Sequence, residues 1–190
     1  MSEVFNILAL SGSLRKKSYN TAVIRALRKI APDDISVVVY DGLGEIPPFN
    51  PDIDPAGIPV VRDLKKEVEA AEGLIISSPE YAHGISGVLK NALDWLVSGY
   101  EFINMPVSLV NTSPRAHHAL DSLKEVLKTM SGTLFDASNL TIPLLGTHYG
   151  YDELVNDENI TRQLHEYLRG FKSDARRANI VRYPGETRQP

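Results

Sequence analysis

"FNILALSGSLRKKSYNTAVIRALRKIAPDDISVVVYD" (residues 5–41) is the stretch whose reading decides the fold. It opens on FNILAL (5–10), an apolar run with the length of a buried strand. It closes on ISVVVYD (35–41), a second strand rich in β-branched residues. Between them Ala22, Val23, Ala26, Leu27 and Ile30 recur at helical spacing, and Ser18 stands where an N-cap belongs. Two strands joined through a helix make a parallel pair.

The alternation continues outward. VRDLKKEVEAAE (61–72) reads as a helix, GLIISS (73–78) as a third strand, and SGVLKNALDWLV (86–97) as the next helix. PVSLVNT (106–112) is a fourth strand, and a helix follows over 114–130, with Ser113 as N-cap and Pro114 at its first position. TLFDASNLTIPLL (133–145) supplies a fifth, interrupted strand, and a last helix covers roughly 157–170. This pattern predicts an α/β fold: a doubly wound five-stranded parallel sheet with helices on both faces. Ligands of such sheets bind beyond the carboxyl ends of the strands. The loops of interest are therefore 11–18, 41–58, 79–86 and 113–117. The Pro- and Gly-rich segment 41–58 is either a functional loop or partner contact, or a plain surface excursion.

The chain has 190 residues, 43% of them hydrophobic, and a net charge of -4. One domain over 1–172 is expected, with a basic tail over 173–190 that is expected to be partly disordered. Mixed charge argues against a nucleic-acid partner. No apolar run is long enough to span a membrane, and the start does not read as a signal peptide, so a cytoplasmic location is expected. There is no cysteine. That excludes disulfides and thiol chemistry, and any redox function must then use a bound cofactor.

The loop after the first strand holds Ser11, Ser13, Arg15, Ser18 and Asn20, and no acid occurs between Glu3 and Asp33. Hydroxyls, an amide and a guanidinium at a helix N-terminus suit an anion. Neither a Walker A loop nor G-x-G-x-x-G is present, so a single terminal phosphate is the better match; the alternative is a polar loop with a capping serine. In the loop after the third strand, Pro79, Glu80 and Tyr81 sit where strand ends point at ligand. Beside them Gly84 and Gly87 allow close backbone approach to a flat ring; a locally packed turn is the alternative. His83 lies in the same loop. No histidine or carboxylate set has metal-ligand spacing, so no metal is expected, and Ser13 or Ser18 makes a weak candidate for a hydrolytic nucleophile. Trp95 reads as a core or interface aromatic.

Gly12, Ser13, Arg15, Ser18 and Asn20 match the pattern G-S-x-R-x-x-S-x-N. Pro79, Glu80, Tyr81, Gly87, Leu89, Lys90, Asn91, Ala92, Asp94 and Trp95 match P-E-Y-N-x-x-x-P-G-x-L-K-N-A-x-D-W. Over roughly 5–135 the chain resembles the NAD(P)H-dependent FMN reductases, flavodoxin-like enzymes that include quinone, chromate and azo-dye reductases. The resemblance implies that Ser13, Arg15, Ser18 and Asn20, with Ser11 nearby, hold the FMN phosphate. Pro79, Glu80 and Tyr81 would run along the isoalloxazine, with Ala82 and His83 beside them and Ser113 at the pyrimidine end. It also implies a homodimer or homotetramer, with an interface near the helix that carries Trp95.

Two departures stand out. Ala82 replaces the pattern's Asn and Ser86 its later Pro, and NTSPRAHH (111–118) replaces a small, Gly-rich loop. Arg115, His117 and His118 there would favour an anionic substrate or the 2′-phosphate of NADPH. The implied activity passes hydride from NADPH or NADH through FMN to a quinone-like or other small electron acceptor. The alternatives are an FMN-binding electron carrier and a relative that has lost flavin binding.

Overall fold

The computed structural model describes residues 3–113, 115 and 117–178. β1 (Phe5–Ser11), α1 (Tyr19–Ile30) and β2 (Ile35–Tyr40) form the opening unit as read from the sequence. α2 (Pro59–Ala70), β3 (Gly73–Ser77), the two-residue strands β4 (Glu80–Tyr81) and β5 (Gly84–Ile85), and α3 (Gly87–Val97) follow. Then come β6 (Pro106–Asn111), α4 (His118–Thr129), β7 (Thr133–Leu134), β8 (Leu140–Thr141), α5 (Tyr151–Asn156) and α6 (Glu158–Arg177).

Among the described residues the main sheet runs β2-β1-β3-β6-β7, and β8 also pairs with β6. Every pairing in it is parallel. β7 and β8 share the fifth position, so that strand is interrupted: Phe135–Asn139 leave the ladder through a 3-10 turn over Asp136–Ser138. The order is the flavodoxin-like one, and its switch point lies between β1 and β3.

Alternate residues of each buried strand serve opposite cores. Leu8, Leu10, Leu74 and Ile76 pack with Leu64 of α2, Leu93 of α3 and Leu127 of α4. Phe5, Ile7, Ala9 and Ile75 pack with Ile24 of α1 and with Leu168 and Phe171 of α6. That double burial is why the strands read as unbroken apolar runs.

Four expectations change or narrow. α4 begins at His118, with His117 at the N-cap position making no capping bond, so Ser113 is not the cap. The Ser113 hydroxyl instead accepts from Arg115 N at 3.3 Å, a local turn; Pro114 lies outside the described residues. Trp95 is buried within the chain, 1% exposed, so of its two readings, core or interface aromatic, the core one holds. Segment 41–58 is divided: Leu43 and Ile46 belong to the core, while 50–54 are exposed as a surface excursion. Finally, α6 continues to Arg177, while 179–190 of the expected tail lie outside the described residues. Among the described residues no helix is long and apolar enough to cross a membrane.

Candidate functional site

The site begins with how β1 ends. Gly12 N donates to Ser77 O at 2.8 Å, which draws the first loop against the exit of β3. A Cβ at Gly12 would lie 2.8 Å from the hydroxyls of both Ser78 and Ser86, so glycine permits the approach. The Ser86 hydroxyl is buried and has no hydrogen-bond partner among the described residues.

The loop is then fixed by its own serines. Ser11 Oγ lies 2.7 Å from Thr21 Oγ1 and accepts from Ser13 N. Ser13 Oγ accepts from Arg15 N, and Ser18 caps α1 by accepting from Thr21 N. α1 carries no acid in its first turn. Its free N–H groups and positive dipole end are therefore unopposed.

Ser13, Ser18 and Asn20 are 9%, 9% and 7% exposed, burial that polar side chains accept only with partners. Asn20 shows what kind. Its Oδ1 accepts from Ser77 Oγ at 2.8 Å and from Thr112 Oγ1 at 3.2 Å, linking the ends of β3 and β6 to α1. Its two Nδ2 protons are the donors left for a ligand.

These residues line a cavity of about 310 Å³ with Arg15, Pro79, Glu80, Tyr81 and Ser113. Eight expected site residues thus meet around one space. Three do not. Ser11 turns to Thr21 and lines a separate hollow, so it shapes the loop without facing the cavity. Ala82 and His83 form the tip of the β4–β5 hairpin and are not part of the lining. Segment 41–58 is absent from the lining as well.

The hairpin tip carries strain. Ala82 and His83 have φ of 49° and 61°, the left-handed pair of a tight two-residue turn that favours Asn and Gly. Replacing Asn by Ala therefore has a backbone cost besides a lost side-chain contact. Ala82→Gly is expected to stabilise the protein by roughly 0.5–1 kcal/mol, read as a raised midpoint in urea denaturation.

Glu80 has a structural bond as well. Its Oε2 accepts from Ala119 N at 2.9 Å, providing the cap that Ser113 was expected to give to α4. His83 stacks on His118, centroids 4.3 Å apart, and His118 on His117 at 4.1 Å. That column ties the hairpin tip to the start of α4 and lies outside the cavity lining, unlike Arg115. Among the described residues no group of three His, Asp or Glu could hold a metal ion.

Tyr19, Ser78, Asn111, Thr112 and Leu145 also line the cavity and were not anticipated. Asn111 and Thr112 close β6, and a strand's carboxyl end is a general signal that would have found them. Leu145 follows β8 and is placed by Leu144 N donating to Thr112 O at 3.0 Å.

The arrangement suits FMN. Buried hydroxyls, an amide and a cation occupy the α1 end, and the Pro79–Tyr81 turn and the Thr112–Ser113 backbone occupy the other. The volume falls at the lower end for small-molecule sites. Known proteins agree. The chain is 41% identical over 98 residues to the quinone reductase of Escherichia coli (strain K12), a match covering 50% of this chain and 52% of that protein. The match thus spans about half that relative's length. It is 29% identical over 154 residues to the NADPH azoreductase of Bacillus sp. (strain OY1-2), covering 78% of this chain and 86% of that one. Among solved structures, the flavoenzyme NAD(P)H:(acceptor) oxidoreductase FerB from Paracoccus denitrificans superposes with a TM-score of 0.79 at 26% identity, covering 92% and 98% of the two chains. The sequence model for NADPH-dependent FMN reductase matches residues 5–143, over both loops that build the cavity, and on that match the chain belongs to the NADPH-dependent FMN reductase family.

Proposed function

We propose that the protein is an FMN-dependent oxidoreductase that takes hydride from NAD(P)H and passes it to a quinone-like small acceptor, working in the cytoplasm as a homo-oligomer. The observation that carries this reading is the buried, acid-free cradle of Ser13, Ser18 and Asn20 sharing one cavity with the Pro79–Tyr81 turn. Bound FMN supplies the redox chemistry; the chain binds and orients it. Asn20 and the serines donate to the phosphate, and Arg15 adds a charge-assisted contact. The hairpin, pinned to α4 through Glu80, walls the ring end. No side chain is assigned as an acid or base.

The decisive measurement is an absorbance spectrum before and after FMN addition, followed by NAD(P)H oxidation with a quinone. Flavin uptake and quinone-dependent turnover are expected. Absence of uptake overturns the reading, and uptake without reduction by NAD(P)H points to an electron carrier. Arg15→Ala is expected to weaken FMN by about tenfold, the order of one exposed charge-assisted hydrogen bond. Unchanged affinity in a fluorescence titration would remove Arg15 from the site.

A further inference from the structure

A second cavity, of about 510 Å³, begins at the wall of the first. The two share Arg15, Ser18 and Tyr19. Beyond that wall the lining adds Lys16, Lys17 and Arg25, together with Tyr149 and Tyr151, and includes no carboxylate. Arg25 has Asp41 at 3.6 Å, a pair exposed to solvent. Lys16 and Lys17 have no ion pair among the described residues.

This wall is built in advance. Tyr19 OH donates to Thr147 O at 2.7 Å, holding the segment before α5 against α1. Tyr149 OH donates to Asp157 Oδ2 at 2.8 Å, which raises the phenol's pKa above its ordinary value. The nearby acids are occupied elsewhere. Asp157 accepts from Ile160 N and Glu153 from Gly150 N, backbone bonds that hold both carboxyls below the usual carboxylate range. Both stay ionised but lie outside the lining, which itself carries Arg15, Lys16, Lys17 and Arg25, and Tyr151 is 38% exposed, open for stacking.

We propose that this cavity holds the 2′-phosphoadenosine end of NADPH, with Lys16 and Lys17 taking the 2′-phosphate and Tyr151 offering its ring to the adenine. The inference rests on the proposed function, because it assigns one end of that reaction's hydride donor. A dinucleotide whose nicotinamide lies in the first cavity can run into the second where the two join, at Arg15, Ser18 and Tyr19. A phosphate dianion on a ribose that also carries a flat base matches paired cations beside phenol rings. The site lies apart from His117 and His118, which are committed to the column on His83.

The test uses flavin-loaded protein and calorimetric titration with adenosine 2′,5′-bisphosphate and, separately, 5′-AMP. Tighter binding of the bisphosphate by about tenfold or more is expected, from one or two charge-assisted contacts. The double variant Lys16→Ala/Lys17→Ala should lose that preference, and its ratio of kcat/KM for NADPH over NADH should fall by about tenfold. An FMN titration of the variant checks that the cradle is intact. Equal binding of the two nucleotides by the wild type, or a preference that survives the double substitution, overturns the inference. If neither NADPH nor NADH bleaches the flavin, the proposed function fails instead, and the nucleotide titration still reads the cavity.

Discussion

Asn20→Asp is expected to lower FMN affinity by about a thousandfold or more, the largest effect on binding among these substitutions. The change is nearly isosteric. It keeps the oxygen that accepts from Ser77 and Thr112, so the links from α1 to β3 and β6 persist. It removes the N–H₂ group and puts a negative charge in its place. The lost charge-assisted bond costs about 1.5–3 kcal/mol. Repulsion by a phosphate a few ångströms away adds about as much at the effective dielectric of a protein surface. In the apo-protein the helix dipole at the first turn of α1 offsets part of the cost of placing a carboxylate at a position only 7% exposed.

Riboflavin supplies the control. It lacks the phosphate, so its affinity for Asn20→Asp should match its affinity for the wild type. Fluorescence titrations with both ligands measure the difference. Equal weakening of FMN and riboflavin would place Asn20 away from the phosphate, and the cradle would have to be reassigned.

The contrast between the two ends of this cavity explains what the sequence reveals. The phosphate end is local: Ser13, Arg15, Ser18 and Asn20 lie on one loop and the helix it opens, and their chemistry is visible in consecutive residues. The ring end is assembled from a distance. The cap on α4 comes from Glu80, 39 residues before Ala119, so no window around Ser113 could show it. Leu145 reaches the cavity only because an interrupted fifth strand returns to pair beside β6. Ala82 and His83 are harder still. Ala82 is not a residue that marks a left-handed turn, and the Pro-Glu-Tyr pattern gave no sign that the hairpin places it and His83 at its tip. Parallel order was legible for the opposite reason. Double burial writes itself as apolar runs, and each run alternates with a helix whose one face is apolar.

Trp95→Ala is expected to destabilise the protein by about 3–5 kcal/mol, the range for a fully buried aromatic. Trp95 is also the hinge pin of segment 46–50. Its Nε1 donates to Pro47 O at 2.9 Å, and its ring meets Phe49 edge-on at 5.1 Å. Asn91, one helical turn earlier, completes the clamp. Its Nδ2 donates to Pro47 O at 2.9 Å and to Ile46 O at 3.2 Å, while its Oδ1 accepts from Phe49 N at 2.8 Å. A Pro-rich segment has few backbone donors of its own, so these side chains do the work that a ladder would do elsewhere. Trp95→Ala should therefore lower the midpoint in urea and also open residues 46–58 to proteolysis under native conditions. Trp95→Phe keeps most of the apolar volume and loses the donor with a little packing, so a cost of about 1.5–2.5 kcal/mol is expected. Pro47 O accepts from both side chains, so Asn91→Ala and Trp95→Phe should be coupled, by about 0.5 kcal/mol or more in a double-mutant cycle. Additive effects would mean that each holds the segment independently, and a wild-type midpoint for Trp95→Ala would mean that the segment is anchored by Leu43 and Ile46 alone.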